Sequence, residues 1–191
     1  QSVFVNMRAD TFDDGYFPTR GFTLGIGYEW IFHGTNYHVD PFHSLTFDVK
    51  AVAQTRGALA IIPSLQARYL FGGDPTLPYV NVMGGAIPGR YLEQQMTFTG
   101  INYATACANF LAIARTDFRF KLFKNNYLTA MFNYAVTVAE IKDFRNVDKT
   151  KGVFGAGLKY SYNSIIGPVE IDVHWASRKQ YKPGAYLNIG L

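Results

Sequence analysis

Charged side chains recur at every second position in two segments of the chain. The first segment carries Arg115, Asp117, Arg119 and Lys121, and the second carries Glu170, Asp172 and His174. In an extended chain, alternate residues share one face. Two such ladders could line a conducting lumen, or opposite charges could pair across the lumen and hold a loop in place. We favour the structural role, in which the charges pair.

Catalytic chemistry finds little support in the sequence. A hydrolase needs a nucleophile within hydrogen-bond reach of a base. His174 and Ser177 are three residues apart, so in an extended strand they would point to opposite faces. His33, His38 and His43 lie in or beside one loop together with Asp40, which is a weak indication of a metal site. We therefore predict no catalytic residue, no cofactor and no bound metal in this chain, and we expect it not to be an enzyme.

The elements that position these charges are predicted to be β-strands. In FTLGIGYEWIF (22–32) every second residue is large and apolar, while the residues between are Thr, Gly or Glu. This period of two indicates a strand. The same pattern predicts strands near 3–9, 22–32, 44–54, 58–71, 109–123, 127–139, 152–162, 168–177 and 185–191.

The length and the two faces of these strands favour a membrane protein. Most exceed the roughly 5–6 residues common in soluble proteins and match the roughly 9–11 residues of a tilted transmembrane strand. Glycines and charges on the polar faces are expected where strands line a lumen. We therefore predict an all-β fold, an antiparallel transmembrane β-barrel portion. The alternative is a soluble sandwich or ligand-binding barrel.

Composition excludes several other classes. The 191 residues contain no run of about 18 apolar residues, so no transmembrane helix is predicted. The formal net charge of +4 is scattered along the chain, and without a basic stripe we predict no nucleic-acid partner. Cys107 is the single cysteine and cannot form an internal disulfide.

The connections between the strands alternate between short and long, as in outer-membrane barrels. This alternation holds if residues 72–108, here named the lumen loop, form one connection despite the apolar YVNV at 79–82. The count is then nine strands in a single domain, 1–191. Since bacterial single-chain barrels have an even number of strands, we expect the chain to be the C-terminal portion of a larger barrel.

Several motifs resemble, in order, the BamA/TamA (bacterial surface antigen) superfamily of outer-membrane insertases and secretion pores. They are DGYFPTRG (14–21), NFLAIARTDFRFKL (109–122), YLTAMFNYAVTV (127–138), GVFGAGLKYSYNSIIGPVEIDVHWA (152–176) and AYLNIGL (185–191). The turn Ile166-Gly167-Pro168 is the most specific. The resemblance implies the last nine strands of a barrel of about sixteen, in the bacterial outer membrane.

The resemblance also implies a role for the lumen loop, whose tip in this family bears an Arg-Gly-aromatic motif that contacts acidic residues of the wall. In GGAIPGRYLEQQMTF (84–98), Arg90 and Tyr91 match the tip, although Gly89 precedes the Arg. The acidic wall position matches Asp117, and a second one is replaced by Asn133. Glu170 and Asp172 are further candidate partners. The alternative is a solvent-exposed loop.

The tip pattern GGxxPGRYxxQQ resembles barrels that follow a patatin-type lipase domain in some Gram-negative bacteria. This implies a barrel that anchors or translocates a passenger, such as an upstream lipase domain. The alternative is an insertase or secretion pore without a lipase. The expected partners are outer-membrane lipid and a passenger domain or secreted protein, and the sequence leaves a homodimer open.

Overall fold

A computed structural model of the protein describes residues 1–32, 40–55, 57–75, 77–87, 92, 94–146 and 150–190. One large antiparallel sheet dominates this part of the chain. Its strands are β1 (Ser2–Asp10), β2 (Arg20–Ile31), β3 (Phe42–Gln54), β4 (Leu59–Phe71), β8 (Phe110–Phe123), β9 (Asn126–Val138), β10 (Lys151–Ser164), β11 (Gly167–Ala176) and β12 (Gly184–Ile189).

Each of these nine strands pairs with the next along the chain, in the order β1-β2-β3-β4-β8-β9-β10-β11-β12. Within the described residues β1 and β12 are the two edges, so the sheet is open. Its strands begin and end within two residues of the predicted ranges. The predicted fold class, an antiparallel portion of a β-barrel, is confirmed.

The two faces of the sheet have opposite surroundings. On the face named here the outer face, Phe22, Trp30 and Trp175 are 45%, 43% and 48% exposed. On the opposite, inner face, Arg119 is only 8% exposed, and the side chain of Asp117 is 15% exposed. The large apolar side chains of the outer face therefore do not form a shared dry interior, whereas Asp117 and Arg119 on the inner face are covered.

The lumen loop covers part of the inner face. It contains three two-residue strands, β5 (Val82–Met83), β6 (Gln95–Met96) and β7 (Thr105–Ala106), which form a small sheet of their own in the order β6-β5-β7. Of the residues YVNV at 79–82, Val82 belongs to the short strand β5 inside the loop, and none belongs to the wall. In the described residues, no helix has the length and apolar character needed to cross a membrane.

The segment 11–19 between β1 and β2 is shaped by aspartates. Asp14 Oδ1 accepts hydrogen bonds from the backbone N–H groups of Tyr16 and Phe17, at 2.8 and 2.7 Å. The hydroxyl and the backbone N–H of Thr19 both donate to Asp13. The hydrogen bond from the Thr19 hydroxyl, together with those from backbone N–H groups, lowers the pKa of Asp13 to about 2. The motif DGYFPTRG therefore folds as an ordered turn.

Candidate functional site: the inner wall beneath the lumen loop

Glycines of the inner face make room for the lumen loop. A Cβ atom added at Gly155 would lie 1.9 Å from the carbonyl oxygen of Thr99, and one at Gly157 would lie 2.8 Å from the Thr99 Cγ2 atom. On β12, a Cβ atom at Gly184 would lie 2.2 Å from Asn102 Oδ1. The loop segment 98–102 thus rests directly on the backbone of the wall, and any larger residue would push it away.

A glycine and a cluster of apolar side chains hold the same loop segment against the wall. At Gly100, φ is +107°, and an added Cβ atom would lie 2.4 Å from the carbonyl oxygen of Trp175, so both the conformation and the contact require glycine. One buried cluster joins loop and wall: Met83, Met96, Phe98 and Ile101 with Leu111, Ile113, Ala135, Val153 and Ala176. Burying a side chain such as Phe98 contributes about 1.5–3 kcal/mol.

His174 connects β11 to the loop by hydrogen bonds. Its Nδ1 atom lies 2.7 Å from Asp172 Oδ1, and its Nε2 atom lies 2.5 Å from Asn102 Oδ1. The Tyr186 hydroxyl donates to the Asn102 carbonyl oxygen at 2.6 Å. Both ring nitrogens of His174 therefore have polar partners, one on its own strand and one in the loop. Asp172 and His174 are both buried.

Two further ion pairs lie along the wall. Arg115 donates to both carboxylate oxygens of Asp117, at 2.7 and 2.8 Å. Lys159 on β10 lies 2.9 Å from Glu170 on β11, which also accepts a bond from Ser161. The prediction that opposite charges pair across the lumen is therefore wrong for these residues. Residues two apart on one face of a strand are separated by about 7 Å, which a long side chain can span. Charges on opposite sides of the lumen are farther apart, and the lumen loop lies between them.

Arg68 ties the start of the lumen loop to the wall. It is buried on β4, donates from Nε to Ser44 Oγ at 2.9 Å, and donates from Nη1 to the Tyr79 carbonyl oxygen at 3.0 Å. The same Nη1 donates to Asn81 Oδ1 at 3.2 Å, and Asn81 donates to the Asn109 carbonyl oxygen at 2.8 Å. The two ends of the loop are therefore held together on one arginine.

Arg119 plays a similar role at the opposite end of the wall. Its guanidinium carbon lies 5.6 Å from the ring centre of Phe17 and 5.7 Å from that of Tyr127, and it donates to the Pro18 carbonyl oxygen. The two rings stack on each other with centres 4.2 Å apart. The segment 11–19 is thereby docked onto the inner face beside the short turns.

The residues proposed from the resemblance have mixed outcomes. Arg90 and Tyr91 lie outside the described residues, so a contact between Arg90 and Asp117 stays a prediction. Asp117, Glu170 and Asp172 lie on the inner face and bind the basic side chains described above. Their use by Arg90 as additional partners also stays a prediction.

Asn133, at the position of the missing second aspartate, contacts the loop directly. Its Nδ2 atom donates to the Thr99 carbonyl oxygen at 3.3 Å, whereas its buried Oδ1 atom has no hydrogen-bond partner. An amide can donate to this carbonyl, but a carboxylate would repel it. Asn therefore suits this position better than Asp would, because the loop segment that lies against β9 presents a carbonyl oxygen.

The described structure contains one of the three loop histidines. His33 and His38 lie outside it, and His43 lies on the outer face, where Nδ1 is 2.8 Å from the Tyr28 hydroxyl oxygen and the ring stacks on Phe71. Throughout the described ranges, no group of three His, Cys, Asp or Glu side chains could hold a metal ion.

Sequence reasoning missed the polar residues that anchor the loop. The inward parity of Arg68 on β4 was the available signal for its role. Asn81, Thr99 and Asn102 gave no signal, because they lie in a segment without periodicity and act through single contacts.

A family model described as the OMP85 superfamily matches residues 1–191. No curated protein matches the chain.

Proposed function

Since the chain belongs to the OMP85 superfamily, whose members are bacterial outer-membrane proteins, we propose that its nine long strands form part of the lipid-facing wall of an outer-membrane β-barrel. The lumen loop narrows the interior of this barrel. The barrel anchors or translocates a passenger, for which a patatin-type lipase domain upstream of this chain is the leading candidate. We assign no catalytic step to the chain itself.

The opposite surroundings of the two faces carry this proposal. Large apolar side chains are exposed along the whole outer face, among them Ile26, Leu158 and Ile171. A soluble monomer rarely exposes an apolar patch larger than a few hundred Å², and each Å² left in water costs about 25 cal/mol. Hydrocarbon removes that cost, and the covered, polar inner face then borders an enclosed lumen.

An uncovered part of the inner face supports passage of a passenger. A cavity of about 630 Å³ lies over β1, β2 and β3, beside the lumen loop. Hydroxyl, amide and charged side chains contribute to its lining, including Asn6, Glu29 and Thr46. Such groups can exchange hydrogen bonds with an extended polypeptide without binding it tightly.

The membrane assignment is tested with the full-length protein refolded in detergent. We expect a folded form that migrates differently on a gel before and after boiling, and that precipitates when detergent is removed. A refolded protein that stays soluble without detergent contradicts the barrel and supports the soluble alternative.

The lipase assignment is tested separately by the sequence that precedes Gln1 and by ester hydrolysis. A Gly-x-Ser-x-Gly domain upstream, and hydrolysis of a p-nitrophenyl ester that is lost when its Ser becomes Ala, support the passenger. Several small periplasmic domains without hydrolysis would show an insertase or secretion pore instead.

A further inference from the structure

The connection between β9 and β10 has an apolar surface directed to the outer side of the wall. It contains a 3₁₀-helix, Ile141–Arg145. The ring of Phe144 packs edge-on against Phe110, with centres 5.9 Å apart, and Phe110 belongs to the outer face of β8. Ile141 and Phe144 nevertheless remain 52% and 48% exposed. The helix therefore continues the outer apolar face beyond the ends of the strands.

The same helix carries charges between its apolar residues. Lys142 and Arg145 are exposed, and Lys142 Nζ lies 2.5 Å from Glu140 Oε2. The hydrogen bond and charge of Glu140 raise the pKa of Lys142, so that its ammonium group stays charged. Asp143 and the preceding Glu140 are acidic, so apolar and charged side chains are mixed in this segment. Apolar side chains together with long cationic ones are typical of the headgroup layer, where the stems lie on hydrocarbon and the charges reach water.

The length of the neighbouring strand agrees with this placement. β10 has 14 residues, which at about 3.3 Å per residue gives roughly 46 Å. A tilt of about 35–45° reduces this to roughly 33–38 Å across the membrane. This exceeds the apolar band of about 25 Å but not the full bilayer of about 40–45 Å. The strand ends, and the helix beside them, then lie at the level of the headgroups.

We propose that the 3₁₀-helix Ile141–Arg145 is a membrane-interface anchor, with Ile141 and Phe144 inserted at the boundary between lipid headgroups and acyl chains. Its partner is the lipid bilayer itself. The inference rests on the proposed function, because it requires the outer face to contact lipid. It goes further in assigning to the lipid surface a connection that would otherwise be taken for a solvent-exposed loop.

The test uses the full-length protein in phosphatidylcholine vesicles, with Cys107→Ala as background. A nitrobenzoxadiazole label is attached at Phe144→Cys, and in a second variant at Ile141→Cys. Lys179→Cys is the matched control, because Lys179 is exposed in another connection at the same end of the sheet. Lipids brominated near the headgroup then act as short-range quenchers.

We expect brominated lipid to reduce the fluorescence of the labels at 144 and 141 about two-fold. An interfacial helix inserts about 5–10 Å into the membrane, which brings these labels close to the bromine atoms. The label at 179 should change little. Quenching of the native Trp30 and Trp175 reports lipid contact of the outer face in the same samples. If the tryptophans are quenched but the labels at 144 and 141 behave like the control, the anchor is wrong and the barrel stands. If the tryptophans are not quenched, both proposals fail.

Discussion

Glycines on the inner face of β10 and of β2 occupy equivalent places in the strand alternation but have different neighbours. In β10, Gly155 faces the Thr99 carbonyl oxygen of the lumen loop. In β2, an added Cβ atom at Gly25 would lie 2.2 Å from Asp48 Oδ1, and one at Gly27 would lie 2.4 Å from Thr46 Oγ1. Gly155 thus leaves room for the backbone of the lumen loop, whereas Gly25 and Gly27 leave room for side chains of the adjacent strand.

This difference divides the wall into two regions. Strands β8 to β12 form the covered region, where the lumen loop is held by packing and by His174 and Asn133. Strands β1 to β3 form the open region, which borders the cavity of about 630 Å³. A glycine-rich polar face therefore indicates only that another group lies close to the strand backbone. Whether that is a docked segment or a neighbouring side chain depends on the tertiary structure.

Loss of His174 should have the largest effect on the covered region. His174→Ala leaves the buried Asp172 carboxylate without its partner, and we expect the free energy of unfolding to fall by about 3–5 kcal/mol. Urea unfolding of the full-length protein in micelles, followed by tryptophan fluorescence, measures this change. The double variant Asp172→Asn with His174→Ala should recover part of the loss, since it removes the unpaired charge. Equal losses in the single and double variants would contradict the buried pair.

The two glycine environments are compared directly by the same substitution in each. Gly155→Ala should destabilise the protein by about 1–3 kcal/mol, because the new methyl group meets loop backbone that cannot move aside cheaply. Gly25→Ala should cost less than about 1 kcal/mol, because the Asp48 carboxylate can rotate away. Both are measured by the same urea titration. Equal costs would remove the distinction between the two regions.

The predicted contact of Arg90 extends the comparison to the loop tip. A double-mutant cycle with Arg90→Ala and Asp117→Asn should give a coupling energy of about 0.5–3 kcal/mol if the two side chains interact. The pair Arg90→Ala and Asp48→Asn, with Asp48 on the inner face of the open region, is the matched control. A coupling no larger than in that control would show that the tip does not use Asp117.

The smallest effect concerns Cys107, which reports whether the loop is docked. Burial raises the pKa of its thiol to about 11. At pH 8 we therefore expect slow alkylation by iodoacetamide, faster in Gly155→Ala and unchanged in Gly25→Ala.

Because the pKa is raised in the folded state, the thiol's contribution to stability is complete below about pH 9 and is lost as the pH approaches 11. Fast alkylation of the native protein would contradict a thiol that the docked loop partly shields.

The strands could be predicted from the sequence because a period of two is a local property, visible in segments such as 22–32. The face that Arg68, Asp117 and His174 share followed from the same parity. The partners of these residues did not, since they depend on the register between strands and on the path of the lumen loop. Thr99 and Asn102 act through one carbonyl or amide group each, which leaves no trace in the pattern.

The central claim is that the apolar face contacts lipid and the polar face does not. Spin labels placed singly along residues 156–160 of β10, in the full-length protein in vesicles, measure it through their collision rates with oxygen and with a water-soluble nickel chelate. We expect oxygen access to alternate with a period of two, high at 156, 158 and 160 and low at 157 and 159. Alternation in the opposite phase, or greater access of nickel than of oxygen at Leu158, would contradict the account.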